Sequence, residues 1–152
     1  MDHVAVMKKS WGFTDKILNG EKTIESRWSV SKRRPWGAVQ RGDTVYFKNS
    51  GEPVAAKANV LRVVQYAGLT PAGVKKILNE YGQKDGMASR EISSFFERFR
   101  NKKYCILIFL KDPARVRPFA IRKKGFGAMA AWISVADISG IRRARKASSM
   151  KI

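Results

Sequence analysis

The sequence predicts an α+β domain: a small, mixed β-barrel with a helical insertion and peripheral helices. Apolar and polar residues alternate along segments between residues 23 and 66 and again after residue 103, which is the period of strands. Residues 70–100 instead carry apolar side chains at helical spacing. Strands that mostly follow one another, interrupted by one helical stretch, favour a small barrel over a doubly wound sheet. With 152 residues, 44% of them hydrophobic, the chain is long enough for one domain with its own core.

The first half of the chain is predicted to consist mainly of strands. Its expected elements are a short strand at 4–7, a helical turn capped by Thr14, a strand at 23–28, a loop at 29–40, a turn at 41–43, and strands at 44–48 and 54–66. Gly20 ends the helical turn, because glycine adopts the left-handed conformation at low cost. Pro35 and Gly37 mark the loop. Val45 and Phe47 alternate with polar neighbours and are expected on one face of their strand.

The second half combines two helices with further strands. Its expected elements are a helix at 70–81, a loop at 82–86, a helix capped by Ser89, strands at 103–110, 116–121 and 132–135, and a basic, glycine-containing loop at 123–127. Thr70 followed by Pro71 is a typical helix start. Residues 141–152 contain five basic residues and no acidic one. We therefore predict a domain over residues 1–140 and a disordered basic tail over residues 141–152.

The net charge is the strongest compositional signal. Lysine and arginine together number 31 against 12 acidic residues, which gives a formal charge of +19. A field of that sign attracts polyanions such as RNA or DNA, and also anionic membrane surfaces. No apolar run approaches the roughly 18 residues that a membrane-spanning helix needs, and the N-terminus lacks a signal-peptide pattern. We expect a cytoplasmic protein with no membrane partner.

The cysteine and histidine content argues against a metal centre. Cys105, the single cysteine, lies in the apolar run 105–110 and is predicted to be buried, which fits a reducing compartment. His3, the single histidine, is predicted to be exposed near the terminus. One cysteine and one histidine do not make a zinc site, so we expect no metal and no cofactor.

The most informative segment is Gly20-Glu21-Lys22-Thr23-Ile24-Glu25-Ser26-Arg27-Trp28. Lysine becomes a base or nucleophile when burial or nearby cations lower its pKa. Lys22 is therefore a candidate catalytic residue, and Glu25 a candidate proton relay. Alternatively, Glu25 holds a charged Lys22 that only binds phosphate. Arg27 has the planar fork that suits phosphate or a base edge, unless it pairs with Glu25 or Asp43.

A second group of polar side chains follows on a later strand. Tyr46 and Lys48 share a strand face, and Ser50 lies in the turn after them. Near Lys22 they would form a nucleotide cleft in which Tyr46 is a candidate catalytic residue. Lysine can activate serine, although Ser50 in its Asn-Ser-Gly-Glu context is also a simple turn former. Ser134 follows a stretch of small residues that permits close approach of a ligand or of another strand.

Aromatic residues interleaved with basic ones indicate RNA binding. Bases stack on aromatic faces for about 1–3 kcal/mol each, and this interaction tolerates sequence changes. The candidate RNA-binding residues of this kind are Arg27, Trp28, Arg33, Arg34, Trp36, Lys123, Lys124 and Trp132. Tryptophans in a small domain are also often core residues, so we expect one or two of the four in a cleft.

Three segments resemble the ASCH family (activating-signal-cointegrator homology), a branch of the PUA-like β-barrels. They are the Gly-x-Lys-Thr-x-Glu-x-Arg motif at 20–27, residues 41–47 with their Gly-Asp turn, and the strand at 54–64. The resemblance covers about residues 6–138 of the chain. It implies RNA as the usual ligand class, bound in a cleft beside the Lys-x-x-Glu strand. Within the family, it implies ribonuclease or acetylcytidine amidohydrolase as the possible activities.

We therefore expect an RNA-binding ASCH protein, and metal-independent cleavage of single-stranded RNA is its first candidate activity. Lys22 and Tyr46 would serve as base and acid around the 2′-hydroxyl, with Arg27 or Lys48 stabilising the phosphorane charge. One alternative is an amidohydrolase on N4-acetylcytidine-type nucleosides. That pattern is similar to Lys-x-x-Thr plus a distant glutamate, whereas Glu25 occupies the fourth position here. Another alternative is a non-catalytic adaptor, which would expose an apolar face on the 89–100 helix.

Overall fold

A six-stranded mixed sheet forms the centre of the fold. The computed structural model describes residues 1–127 and 129–143. The strands are β1 (Asp2–Met7), β2 (Ile24–Ser29), β3 (Thr44–Asn49), β4 (Val54–Tyr66), β5 (Tyr104–Phe119) and β6 (Trp132–Val135). The helices are α1 (Phe13–Leu18), α2 (Pro71–Tyr81) and α3 (Ile92–Phe99). Short 3-10 turns cover Lys9–Trp11, Ser89–Glu91 and Ile138–Gly140.

The strands lie in the order β2-β5-β4-β3-β1-β6 across the sheet. β1 runs parallel to β3, and the other neighbouring strands are antiparallel. Register shifts interrupt the long β4–β5 ladder, and such bulges bend and twist a sheet. The sheet curls until Arg27 on edge strand β2 donates to the backbone oxygens of Val6 in β1 and Ala131 before β6, each at 3.2 Å. The predicted α+β class with a barrel-like mixed sheet is confirmed.

Apolar clusters lie on both faces of the sheet. Ala5 belongs to a large cluster that includes side chains of all three helices, whereas its neighbour Val4 belongs to a smaller one. Successive residues of a strand point to opposite faces, so the two clusters are separated by the sheet. Val45 and Phe47 are both completely buried in the large cluster, which confirms the alternation predicted for β3.

The helical insertion packs tightly at one glycine. The Thr70 hydroxyl accepts a hydrogen bond from Gly73 N at 3.2 Å, and Pro71 is the first residue of α2, as predicted. Gly82 follows α2, and a Cβ at this position would lie 2.3 Å from Ile92 Cδ1. Glycine thus allows α2 and α3 to approach each other. The large apolar side chains of α3 are all buried or half-buried, so α3 lacks the exposed apolar face that the adaptor hypothesis requires.

The two other predicted N-terminal caps, Thr14 and Ser89, are wrong. Gly12, not Thr14, precedes α1, and the Thr14 hydroxyl donates instead to Asn49 Oδ1 at 2.9 Å. Ser89 begins the 3-10 turn before α3, and its hydroxyl receives a hydrogen bond from Gln83. In each case the hydroxyl that was expected to cap a helix forms a hydrogen bond with another side chain instead.

Two segment boundaries also differ from the prediction. The strands expected at 103–110 and 116–121 form one strand, β5, because Pro113 falls at a register shift where β5 pairs with β4 alone. Ile141 is buried in the smaller cluster, and Arg143 N donates to Ala120 O at 2.7 Å. The folded part therefore extends at least three residues beyond the predicted end at residue 140. The rest of the predicted tail, residues 144–152, lies outside the described residues.

Candidate nucleic-acid interface

A cleft opens where the two edges of the curled sheet meet. It consists of two adjoining pockets, which we call pocket A, of about 480 Å³, and pocket B, of about 390 Å³. Arg27 and Trp28 of β2 line both pockets. The pockets therefore form one continuous surface along β2, beside the Arg27 contacts that join the sheet edges.

Lys22 lies beneath pocket A, just before β2, and its side chain is fully engaged. It is 1% exposed, and its ammonium donates to Ile24 O at 2.8 Å, Asp85 O at 2.6 Å and Asp85 Oδ1 at 2.5 Å. Glu25 Oε1 lies 3.2 Å from the same nitrogen, and the Phe13 ring centroid lies 4.4 Å away. Glu25 and Asp85 therefore hold the Lys22 ammonium in place, as the alternative for Glu25 expected, but its three N–H groups already have acceptors and none is left to bind the phosphate that this alternative also expected.

Glu25 lies between two cations in the same network. Arg27 donates to Glu25 Oε2 from Nε at 3.2 Å and from Nη2 at 2.9 Å. Burial alone would raise the pKa of Glu25, but the neighbouring Lys22 and Arg27 outweigh burial and hold that pKa below its usual range. Glu25 is therefore an ionised carboxylate at neutral pH, which can only accept hydrogen bonds.

Asp85 completes the network from the loop after α2, and the sequence analysis missed it. Its Oδ2 accepts a short hydrogen bond from Ser26, whose Oγ accepts one from Trp28 Nε1 at 3.0 Å. Burial raises the pKa of Asp85, and the nearby Lys22 offsets only part of that effect. Lys22 and Asp85 are 63 residues apart, and no local pattern in the 82–86 loop marks a partner for a buried lysine.

Five aromatic side chains line pocket A. They are Trp11, Phe13, Trp28, Phe95 and Phe99. The Trp28 and Phe99 rings stack with centroids 4.9 Å apart and planes within 6°. Trp11 meets Phe95 edge to face at 5.2 Å. Pocket A thus combines a polar floor of Glu25, Ser26 and Asp85 with rings that can stack on a planar ligand.

Cations stand at the rim of pocket A. Lys8 Nζ and the Arg98 guanidinium both lie over the Trp11 ring, at 5.3 and 5.0 Å from its centroid, and Lys102 also lines the pocket. Among the described residues none of these three cations forms a salt bridge. Their charge is therefore available to an anionic ligand.

Pocket B brings together six of the predicted RNA-binding residues. They are Arg27, Trp28, Arg33, Arg34, Trp36 and Trp132. Arg33 and Arg34 are exposed in the loop between β2 and β3. The Arg27 guanidinium lies 5.3 Å from the Trp132 ring centroid. Residues far apart in the sequence thus meet in one pocket, and their role in binding RNA stays a prediction.

The loop between β5 and β6 adds two further predicted residues beside pocket B. Lys123 Nζ donates to Ala130 O at 3.3 Å, and Ala130 lines the pocket. Lys124 is exposed. Met129, which also lines pocket B, is 94% exposed. This loop therefore supplies both charge and apolar surface at the edge of the cleft.

Three predicted site residues of the β3 region lie away from the two pockets. Tyr46 packs in the smaller cluster, with its ring 5.9 Å from that of Phe119, and burial raises its pKa. Lys48 is buried, and burial and the nearby Lys123 lower its pKa. Ser50 lies exposed in a turn. The cleft expected to unite these residues with Lys22 does not form, because Tyr46 faces the opposite side of the sheet.

Ser134 lies in a buried polar cluster around His3. His3 is completely buried, so the prediction that it is exposed is wrong. Its Nδ1 accepts a hydrogen bond from Trp132 Nε1 at 3.3 Å. The same Nδ1 lies 2.8 Å from Ser134 Oγ. An indole N–H can only donate, so the His3 proton is on Nε2, which donates to Asp43 at 2.8 Å. The cluster connects β1, β6 and the turn before β3.

Asp43 is the acidic member of this cluster. Burial alone would raise the pKa of Asp43, but hydrogen bonds from His3 and from Gln40 N hold it below its usual range. Neither Ser134 nor His3 lines pocket A or pocket B. The arrangement therefore reads as a satisfied core network that fixes the sheet edge.

The described residues contain neither a metal-binding group nor a membrane-spanning helix. Within residues 1–127 and 129–143, no three His, Cys, Asp or Glu side chains are grouped so that they could hold a metal ion. Over that same part of the chain, no helix combines the length and apolarity needed to cross a membrane. Cys105 is fully buried, as its apolar run predicted.

Solved structures share this fold. The sequence matches no protein-family model and no curated protein. The crystal structure of the ASCH protein of Zymomonas mobilis superposes with a TM-score of 0.63 at 18% identity, over 88% of this chain and 87% of that chain. A tyrosine-to-phenylalanine variant of the same protein gives a TM-score of 0.65 at 15% identity, over 91% and 93%. A serine-to-alanine variant gives 0.64 at 19% identity, over 91% of both. The chain therefore has the fold of the ASCH domains, as its 20–27 motif predicted.

Proposed function

We propose that the chain binds RNA, as a single strand, in the cleft formed by pockets A and B. The observation that carries this proposal is the charge of the cleft. Its buried carboxylates, Glu25 and Asp85, are held by Lys22 and Arg27. The rim cations of pocket A, which are Lys8, Arg98 and Lys102, form no salt bridge with any described residue. A cleft of this kind attracts polyanions.

The aromatic side chains favour a single strand over a duplex. Trp28, Phe99 and Trp36 line pockets in which individual bases can stack, and each stacked base contributes about 1–3 kcal/mol. In a duplex the bases already stack on each other and are paired, so they cannot enter such pockets. The ASCH resemblance of the 20–27 segment also implies RNA.

Binding of labelled RNA, followed by fluorescence anisotropy over a range of salt concentrations, tests the proposal. About five phosphate contacts would give a slope of log affinity against log salt near −3.5, at ~0.7 per contact. Arg33→Ala/Arg34→Ala should weaken binding and reduce the magnitude of the slope by about 1.4. Lys75→Ala/Lys76→Ala removes the same charge from exposed positions of α2 and is the matched control. Equal losses in both variants, or tighter binding of a duplex, would contradict the proposal.

We infer no RNA cleavage by Lys22 and Tyr46. The Lys22 ammonium has acceptors for all three of its N–H groups, and Tyr46 lies on the opposite face of the sheet. RNA incubated with the protein and a chelator should therefore stay intact. Cleavage that disappears in Tyr46→Phe would overturn this inference.

Pocket A also supports a second candidate function, hydrolysis of a modified nucleoside. Its floor holds two carboxyl groups whose pKa values are shifted in opposite directions, lowered for Glu25 and raised for Asp85. Such a separation is typical of an acid–base pair. Release of acetate from N4-acetylcytidine, lost in Asp85→Asn, would support this function. A parent protein that binds RNA and releases no acetate would exclude it.

A further inference from the structure

The floor of pocket A offers hydrogen-bond acceptors to a ligand but almost no free donors. The donors around it are engaged: the three N–H groups of Lys22, the Ser26 hydroxyl and the indole N–H of Trp28 all have acceptors. Arg27 makes four bonds to oxygen, which leaves one of its five N–H groups, on Nη1.

The acceptors of the floor are not saturated. Glu25 Oε1 has Lys22 as its cationic neighbour, and Asp85 Oδ1 and Oδ2 each accept one hydrogen bond. A carboxylate oxygen can accept about two hydrogen bonds. The floor therefore offers lone pairs from two side chains to a ligand that brings its own N–H groups.

We propose that pocket A holds one unpaired guanine base of the bound RNA, which donates its N1–H and N2–H groups to the Glu25 and Asp85 carboxyl oxygens. This inference rests on the proposed RNA binding and specifies which base the cleft selects. The aromatic wall supplies faces for stacking the base, and the volume of about 480 Å³ falls within the range for small-molecule sites.

The four bases differ in the groups that they present to an acceptor-rich floor. Guanine carries adjacent ring and exocyclic N–H donors on its pairing edge. Adenine and cytosine present a ring nitrogen that only accepts, and uracil presents one N–H between two carbonyl oxygens. Guanine also carries the acceptor O6 on this edge, but its two adjacent donors can face the carboxyl oxygens together. A base that turns an acceptor towards these oxygens loses a hydrogen bond that it makes in water, which costs binding free energy. The lowered pKa of Glu25 keeps its carboxylate ionised and so supports this selection.

The rim of pocket A suits the phosphates that flank such a base. Lys8 and Arg98 both approach Trp11, and Lys102 borders the same pocket. These cations contact a backbone without reading sequence. Base selection by the floor and backbone binding by the rim can therefore be separated by mutation.

Single-stranded 11-mers of uridine, with one central nucleotide replaced, test the proposal. The guanosine oligomer should bind about tenfold more tightly than all-uridine, which corresponds to about 1.4 kcal/mol and is a typical contribution of a bidentate base contact. Inosine is the sharpest probe, because it lacks only the 2-amino group; its oligomer should bind between the two. Lys8→Ala/Lys102→Ala should weaken every oligomer and leave the guanosine-to-uridine ratio unchanged.

The outcomes separate this inference from the function on which it rests. If no oligomer binds, the proposed RNA binding is wrong and guanine selection falls with it. If all oligomers bind within twofold of each other, RNA binding stands and guanine selection is wrong. Equal binding of guanosine and inosine would overturn the two-donor contact. Asp85→Asn should lower the preference for guanosine, and its melting temperature shows whether the variant is still folded. An unchanged preference would also count against guanine selection by pocket A.

Discussion

The guanidinium of Arg27 donates to the backbone oxygen of Val6 at 3.2 Å, and this contact joins edge strand β2 to β1 near the opposite edge. The same side chain binds Glu25 Oε2 and Ala131 O. Arg27 thus links the two edges of the curled sheet, and it also lines both pockets of the cleft. The shape of the pockets depends on this link, because β2 lines one side of the cleft and Val6 and Ala131 line the other side.

Arg27→Lys should destabilise the fold although the charge is kept. An ammonium cannot reproduce the planar fork that spans three acceptors, so we expect the free energy of unfolding in urea to fall by about 2 kcal/mol. Arg115→Lys, at an exposed position of β5, should change it by no more than about 0.5 kcal/mol. If both variants unfold like the parent, Arg27 does not close the sheet.

Lys22→Met should be more damaging, because it leaves two buried carboxyl groups without their ammonium. Breaking a buried ion pair from one side costs about 3–5 kcal/mol. Without Lys22 the pKa values of Glu25 and Asp85 must rise. A group with a raised folded-state pKa loses its stabilising contribution as pH increases, so the deficit should shrink when the pH is lowered. A variant as stable as the parent at pH 7 would contradict the buried position of Lys22.

Asp85→Asn should show a distinct pH dependence. Burial raises the pKa of Asp85 above its ordinary value of 3.8. The folded state thus binds this proton more tightly than the unfolded chain does, and the stability that this difference contributes is lost as the pH rises through the folded-state pKa. The stability of the parent relative to Asp85→Asn should therefore fall from pH 3.8 towards neutrality. Urea unfolding at several pH values measures this difference. An opposite slope would mean that Lys22 outweighs burial.

Ser134→Ala should affect stability without affecting RNA affinity. The hydroxyl lies 2.8 Å from His3 Nδ1 in the core, and loss of one such bond costs about 1 kcal/mol. Ser93→Ala, at an exposed position of α3, is the matched control for stability. Because Ser134 borders neither pocket, a loss of RNA affinity in this variant would show that the binding surface extends beyond the cleft.

Local patterns predicted the parts of this fold that depend on neighbouring residues. The period of two in β3 and β4 follows directly from alternate burial of side chains. The Thr70-Pro71 start of α2 is a local hydrogen-bonding motif. The aromatic and basic residues of pocket B were predicted because they lie in short clusters along the chain.

Local sequence patterns could not predict contacts between residues that are distant in the chain. Asp85 reaches Lys22 across 63 residues, and His3 reaches Ser134 across 131. Each of these side chains looks like a surface residue in its own neighbourhood, and only the curl of the sheet buries it. Tyr46 lies away from Lys22 for a related reason, because strand face, not strand order, decides which side chains share a cleft.

The central claim, that RNA lies in the cleft along β2, is tested most directly by ultraviolet cross-linking of a single-stranded oligomer. Mass spectrometry then identifies the cross-linked peptides. Binding in the cleft should give adducts in peptides that contain Trp28, Trp36 or Trp132, and these adducts should be lost in Arg33→Ala/Arg34→Ala but not in Lys75→Ala/Lys76→Ala. Adducts confined to peptides of β3, with Tyr46 and Lys48, would place the RNA on the opposite face of the sheet and contradict binding in the cleft.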